Sequence, residues 1–126
     1  MWWWLYLALL GLAACGEDAD PTPTGSTCPP DSTLTYDGFA APFMEAYCTR
    51  CHDSALHGDD RNGAPLFHDF DTEMGILVVA GHVDEWAAGG PDAINRLMPP
   101  NGDAPTDEER LQLGEWLACA LEAANQ

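Results

Sequence analysis

Residues 48–52 read CTRCH: two thiols, Cys48 and Cys51, stand three positions apart, and an imidazole, His52, follows the second directly. Three chemistries use such a pattern. A haem takes two cysteine thiols as thioethers on its vinyl groups, with the adjacent histidine turned toward the iron. A redox dithiol places C-x-x-C at a helix N-terminus near a βαβ unit. A zinc site takes the pair as half of a four-ligand set. The residues around CTRCH decide between them.

FAAPFMEAYC leads into the motif. Phe39, Phe43 and Tyr47 recur at i, i+4 and i+8, which puts three aromatics on one helical stripe, and Pro42 suits a first helical turn. The spacing predicts a short aromatic helix running into Cys48, so the motif follows a helix instead of opening one. No βαβ pattern is visible. His57, His68 and His82 fall in no paired ligand spacing, and His57 and His68 read as loop or surface residues. Both observations favour the haem reading.

The C-terminal part carries the second signal. Thr106-Asp107-Glu108-Glu109 is a capping box, with Thr106 as N-cap, Glu109 at N3 and acidic residues at the positive end of the helix dipole. Leu111, Leu113, Trp116, Leu117, Ala120 and Leu121 supply an apolar face, predicting a helix from about Asp107 to Ala123. Upstream, Met98-Pro99-Pro100 cannot continue a helix and presents Met98 on an extended loop. Asp71 or Thr72 caps a further predicted helix through Met74 to Ala80, where Met74 reads as core filling.

Together, the aromatic helix, CxxCH, the Met-Pro-Pro loop and the capped Trp-Leu helix resemble a class I c-type cytochrome across residues 36–124. The resemblance implies an all-α fold, a bundle of three to five helices around one covalent haem c. It implies thioethers to Cys48 and Cys51, His52 as proximal iron ligand and Met98 as distal ligand. It also implies crossing of the first and last helices beside the haem. Pro65, in Gly63-Ala64-Pro65-Leu66, falls where that family's proline carbonyl accepts the proximal ring N–H. His82 is the second candidate for the sixth position, since bis-His iron is chemically sound. Arg61 and Arg96 are candidates for haem propionates or for ordinary ion pairs, and Trp86 and Trp116 for pocket or core.

The first fifteen residues, MWWWLYLALLGLAAC, form an apolar run ending in cysteine. From Trp2 to Ala14 it has 13 residues, short of the ~20 that span a bilayer. It fits the apolar region of a signal peptide, although no Lys or Arg precedes it. Leu12-Ala13-Ala14-Cys15 resembles the bacterial lipobox, which implies cleavage before Cys15 and its lipidation. The organisation expected is signal peptide 1–14, lipidated Cys15 with a disordered tether through 27, and one domain over 28–126. The tether reading rests on Gly, Pro, Asp and Thr without large apolar residues.

Five cysteines is an odd number for an exported chain. If haem takes Cys48 and Cys51 and lipid takes Cys15, then Cys28 and Cys119 remain as a possible disulfide, or as two free thiols. At 126 residues the core is small and benefits from such staples.

The chain holds 21 acidic residues against four arginines and no lysine, a net charge of −17. Nucleic acid, which needs a basic patch, is excluded as an expected partner. The function expected is electron carriage, not catalysis, in an exported protein anchored in the membrane and facing the periplasm or cell surface. Redox proteins, membrane-bound or periplasmic, are the expected partners. Two other functions remain open. A labile sixth ligand would suit a gas sensor or peroxidase-like enzyme, and a fixed one would also suit an electron-relay subunit of an oxidoreductase.

Overall fold

The longest element, α4, spans Asp107–Ala124 in the computed structural model, which describes residues 19–126. Its start follows from the capping box: Glu109 N donates to Thr106 Oγ1 at 3.1 Å, and Thr106 N donates back to Glu109 Oε2 at 2.8 Å. The face it buries is Arg110, Leu113, Gly114, Trp116 and Leu117. Leu111 and Leu121, expected on that face, are each 38% exposed. The buried stripe centres on Leu113 and Leu117, and both residues lie to its sides. Gly114 is a matter of space: a Cβ there would collide with the carbonyl of Gly89.

A π-helical turn, Tyr36–Ala40, runs into α1, Ala41–Tyr47. Thr35 caps it by accepting from Gly38 N at 3.0 Å. The aromatic stripe forms as the periodicity predicts, with ring centroids 5.6 Å apart for Phe39–Phe43 and 5.1 Å for Phe43–Tyr47. Tyr36 packs on Trp116 at 6.3 Å, joining this segment to α4.

The predicted 72–80 helix is instead shorter and is followed by another. Thr72 caps α2, Glu73–Leu77, and α3 spans Ala80–Ala87. The break falls at Val78 and Val79, two consecutive β-branched residues that lose side-chain freedom in a helix. Met74 is not core filling: it is 69% exposed, while Ile76 points inward. Met44, Phe43, Ile76, Val83, Leu113 and Trp116 form the heart of the core.

The architecture is therefore all-α, four α-helices with no strand among the described residues. A single antiparallel bridge joins Gly89 and Ile94. Among the described residues no helix is long and apolar enough to cross a membrane.

Residues 22–26, expected within a disordered tether, are hydrogen-bonded to the domain. Thr24 is fully buried, its amide donating to Asp84 Oδ2 at 2.9 Å and its hydroxyl bonded to Asp84 Oδ1. Asn95 Nδ2 donates to Thr22 O at 2.7 Å, and Ser26 Oγ to Gly89 O at 3.0 Å. Side-chain hydrogen bonds, not apolar burial, fix this stretch, so its polar composition does not keep it loose. Cys28 and Cys119 are disulfide-bonded, closing a loop across 91 positions. Cys15 and the apolar run lie outside the described residues.

Candidate cofactor site

CTRCH folds as a turn that finishes α1. Cys48 N donates to Met44 O at 2.8 Å, and Cys51 N and His52 N both donate to Cys48 O, at 3.1 and 2.9 Å. This curl brings Cys48, Cys51 and His52 to the wall of one cavity of about 660 Å³. That volume lies within the ~300–1,000 Å³ usual for small-molecule and cofactor sites. Met98, Pro65 and His82 line the same cavity, together with apolar Met44, Phe70, Val83, Trp86 and Leu113. Every expected site residue within the described chain, apart from the disulfide pair, is thus gathered in one place.

His52 is held on two sides. Its ring lies parallel to Phe70, centroids 4.4 Å apart and planes 14° apart. Its Nδ1 is 2.9 Å from the carbonyl oxygen of His68. A carbonyl only accepts, so Nδ1 carries the proton and Nε2 keeps a lone pair. Burial holds the ring's pKa below the ordinary histidine value, against the opposing pull of that hydrogen bond.

The carbonyl expected in this role was that of Pro65, and the structure corrects this. Pro65 O accepts from Arg61 Nη2 at 2.8 Å. Arg61 is almost fully buried and gathers the loop around itself, donating also to Asp53 O at 2.9 Å and Ala64 O at 3.2 Å. An ion pair to Asp69 at 2.8 Å compensates its charge. Arg61 Nη2 also donates to His68 O, at 3.4 Å, so the guanidinium holds the carbonyl that meets the His52 ring. Pro65 still lines the cavity.

The two thiols are unbonded to each other. Burial pushes the Cys48 thiol up to about 12. A redox dithiol needs the opposite shift, and Cys48 stands at the C-terminal end of α1, not at a helix N-terminus. Among the described residues no three His, Cys, Asp or Glu side chains converge as a metal cage, so no completed zinc set accompanies Cys48 and Cys51. Thioether formation makes neither demand.

Met98 is half-buried and packs against the core. Its amide donates to Trp86 O at 2.9 Å, and its carbonyl accepts from Arg110 Nη1 at 2.8 Å. The Met98–Pro99 peptide is cis. Arg50, inside CTRCH, reaches across to donate to Asn101 O and, at 3.4 Å, Asp103 O, so the motif and the Met98 loop are tied together.

His82 is exposed at the cavity rim, its Nδ1 2.9 Å from His68 Nε2. The two centroids are 5.2 Å apart with planes 9° apart, about as far as a contact of that length permits. The rings therefore meet edge to edge in one plane, joined by one proton. Arg96 forms an exposed ion pair with Asp107, at 2.7 and 2.9 Å. Of the two propionate candidates, both Arg61 and Arg96 are thus ion-pair partners. Trp86 lines the cavity and Trp116 lies in the core.

The sequence reading missed Phe70, the His68 carbonyl, and the roles of Arg61 and Arg110. A phenylalanine among acidic residues carries no periodicity, and an arginine that binds main-chain carbonyls leaves no pairing signature. Comparison with protein-family models, with curated proteins and with solved structures gave no match to this chain.

Proposed function

We propose that the protein is a monohaem electron carrier of the class I c-type cytochrome kind, exported and anchored through a lipid on Cys15. The observation that carries this reading is the convergence of Cys48, Cys51, His52 and Met98 on one largely apolar cavity of about 660 Å³.

The donor set fits the group. Two free thiols three residues apart suit two thioethers, a neutral imidazole offers Nε2, and a thioether sulfur is available on a separate loop. Haem, when bound, supplies an iron that exchanges one electron between two oxidation states. The chain's own residues do the rest. Phe70 and the His68 carbonyl fix the His52 ring, which keeps Nε2 aimed and raises its basicity. Trp86 O and Arg110 hold the Met98 backbone. Apolar walls exclude water. Two protein ligands leave no open position for substrate, which favours carriage over catalysis. Met98 is preferred to His82 for the sixth ligand because it is packed and anchored, whereas His82 is exposed and engaged by His68.

Export and anchoring rest on the apolar run and the lipobox resemblance alone. All four arginines are bonded to this chain's own groups. The excess of acid therefore dominates the surface, and a redox partner docking by charge would be basic. Expression of the full chain in a host with thioether-forming machinery tests the reading. Haem that survives denaturation supports it, and a protein purified without covalent haem rejects it.

A further inference from the structure

Arg110 is 2% exposed, yet no carboxylate lies within ion-pairing distance of it; the ion pairs among the described residues are Arg61–Asp69 and Arg96–Asp107. Its Nη1 sits 2.8 Å from each of three main-chain oxygens, those of Ala87, Asn95 and Met98. Its Nε is buried with no partner at all. Burying an uncompensated charge and leaving a donor unpaired are both costly, and an apolar residue would fill a helix face without either penalty. The arrangement needs a gain that packing does not supply.

The three oxygens show where that gain lies. Ala87 ends α3 and Met98 lies on the loop, both lining the cavity, and Asn95 lies between them. Arg110 itself belongs to α4. One guanidinium thus fastens the loop that bears Met98 to two helices. Its contact is with the carbonyl of Met98 itself, while the amide of the same residue is held by Trp86 O. The Met98 backbone is gripped from both sides.

We infer that Arg110 is a positioning residue that keeps the Met98 sulfur over the cavity and so keeps the sixth iron position closed. The inference rests on the haem reading above. All three contacts converge on Nη1, whose two N–H groups they share at the far end of the side chain. A lysine ammonium has donors enough but a shorter reach, and a glutamine amide is shorter still. Loss of the clasp frees the loop without touching CTRCH, so attachment through Cys48 and Cys51 persists while the Met98 bond opens.

The test compares holoprotein of the wild type, Arg110→Gln and Arg110→Lys, at temperatures well below each unfolding transition. Three readouts apply: covalent haem content, the ferric methionine–iron charge-transfer band, and carbon monoxide binding by the reduced protein. The wild type is expected to show the band and exclude carbon monoxide. Arg110→Gln is expected to keep its haem, lose the band, bind carbon monoxide stoichiometrically and fall in reduction potential. An Arg110→Gln protein with the band and the exclusion intact overturns the inference. Should that variant fail to fold, Arg110→Lys decides: a weakened band with measurable carbon monoxide binding supports it, and wild-type behaviour overturns it. Absence of covalent haem from the wild type would sink the haem reading itself, a distinct outcome.

Discussion

Tyr47 and Glu109 join the end of α1 to the start of α4: the phenol lies 3.0 Å from Glu109 Oε2 and 3.1 Å from Oε1. The same carboxylate closes the capping box on Thr106. Hydrogen bonding to it raises the Tyr47 pKa above the ordinary value. The sign follows from linkage. Below about pH 10 the phenol is neutral in both states and the bond is fully present. As pH rises further, the unfolded chain gives up its proton first, and the contribution disappears as pH passes through the folded pKa. Denaturant unfolding of wild type and Tyr47→Phe should differ by a constant amount at neutral pH, with the gap closing above about pH 10. A gap independent of pH across that window would count against the bond.

The disulfide bridges two ends of the folded region. Replacing Cys28 and Cys119 with serine is expected to cost roughly 2–5 kcal/mol of stability. Intact mass should rise by two hydrogens on reduction of the denatured protein. No such rise would mean that the two thiols are free.

Arg61 organises the loop that presents the His68 carbonyl to His52. Arg61→Met orphans several carbonyls and leaves Asp69 without its partner, at an expected cost of about 3 kcal/mol or more. The His52 ring should also lose its fixed orientation, visible as broadened or doubled ring resonances. A stability change under about 1 kcal/mol would show that the loop holds without Arg61.

Thr24 anchors the N-terminal stretch to α3 through Asp84. Thr24→Val keeps the shape and removes the hydroxyl, and is expected to cost about 1–3 kcal/mol. Proteases should then cleave near residues 22–26 faster. Equal cleavage in both proteins would restore the loose tether that the composition suggests.

Elements with local signals were legible in the sequence. The capping box and apolar repeat mark α4 to within a residue of its end, and Phe39, Phe43 and Tyr47 mark α1. The candidate residues that line the cavity stood out because CTRCH is a contiguous motif and Met98 stands beside two prolines. What escaped depends on contacts between segments far apart in sequence. Arg61 and Arg110 are satisfied by backbone oxygens, which any residue carries, so no pattern announces their burial. Arg61 reaches both the Pro65 and the His68 carbonyls, and which of them also meets His52 is set by the path of the loop, which no local pattern records. Thr24 is ordinary linker composition until Asp84, sixty positions later, accepts its hydrogen bond.

The central claim is that Cys48 and Cys51 hold haem by thioether bonds. It is tested most directly by acid–organic extraction of the denatured protein, followed by alkylation and mass analysis. Haem that remains with the chain, with Cys48 and Cys51 both closed to alkylation, is the result expected. Extractable or absent haem, with both thiols alkylated, would contradict it.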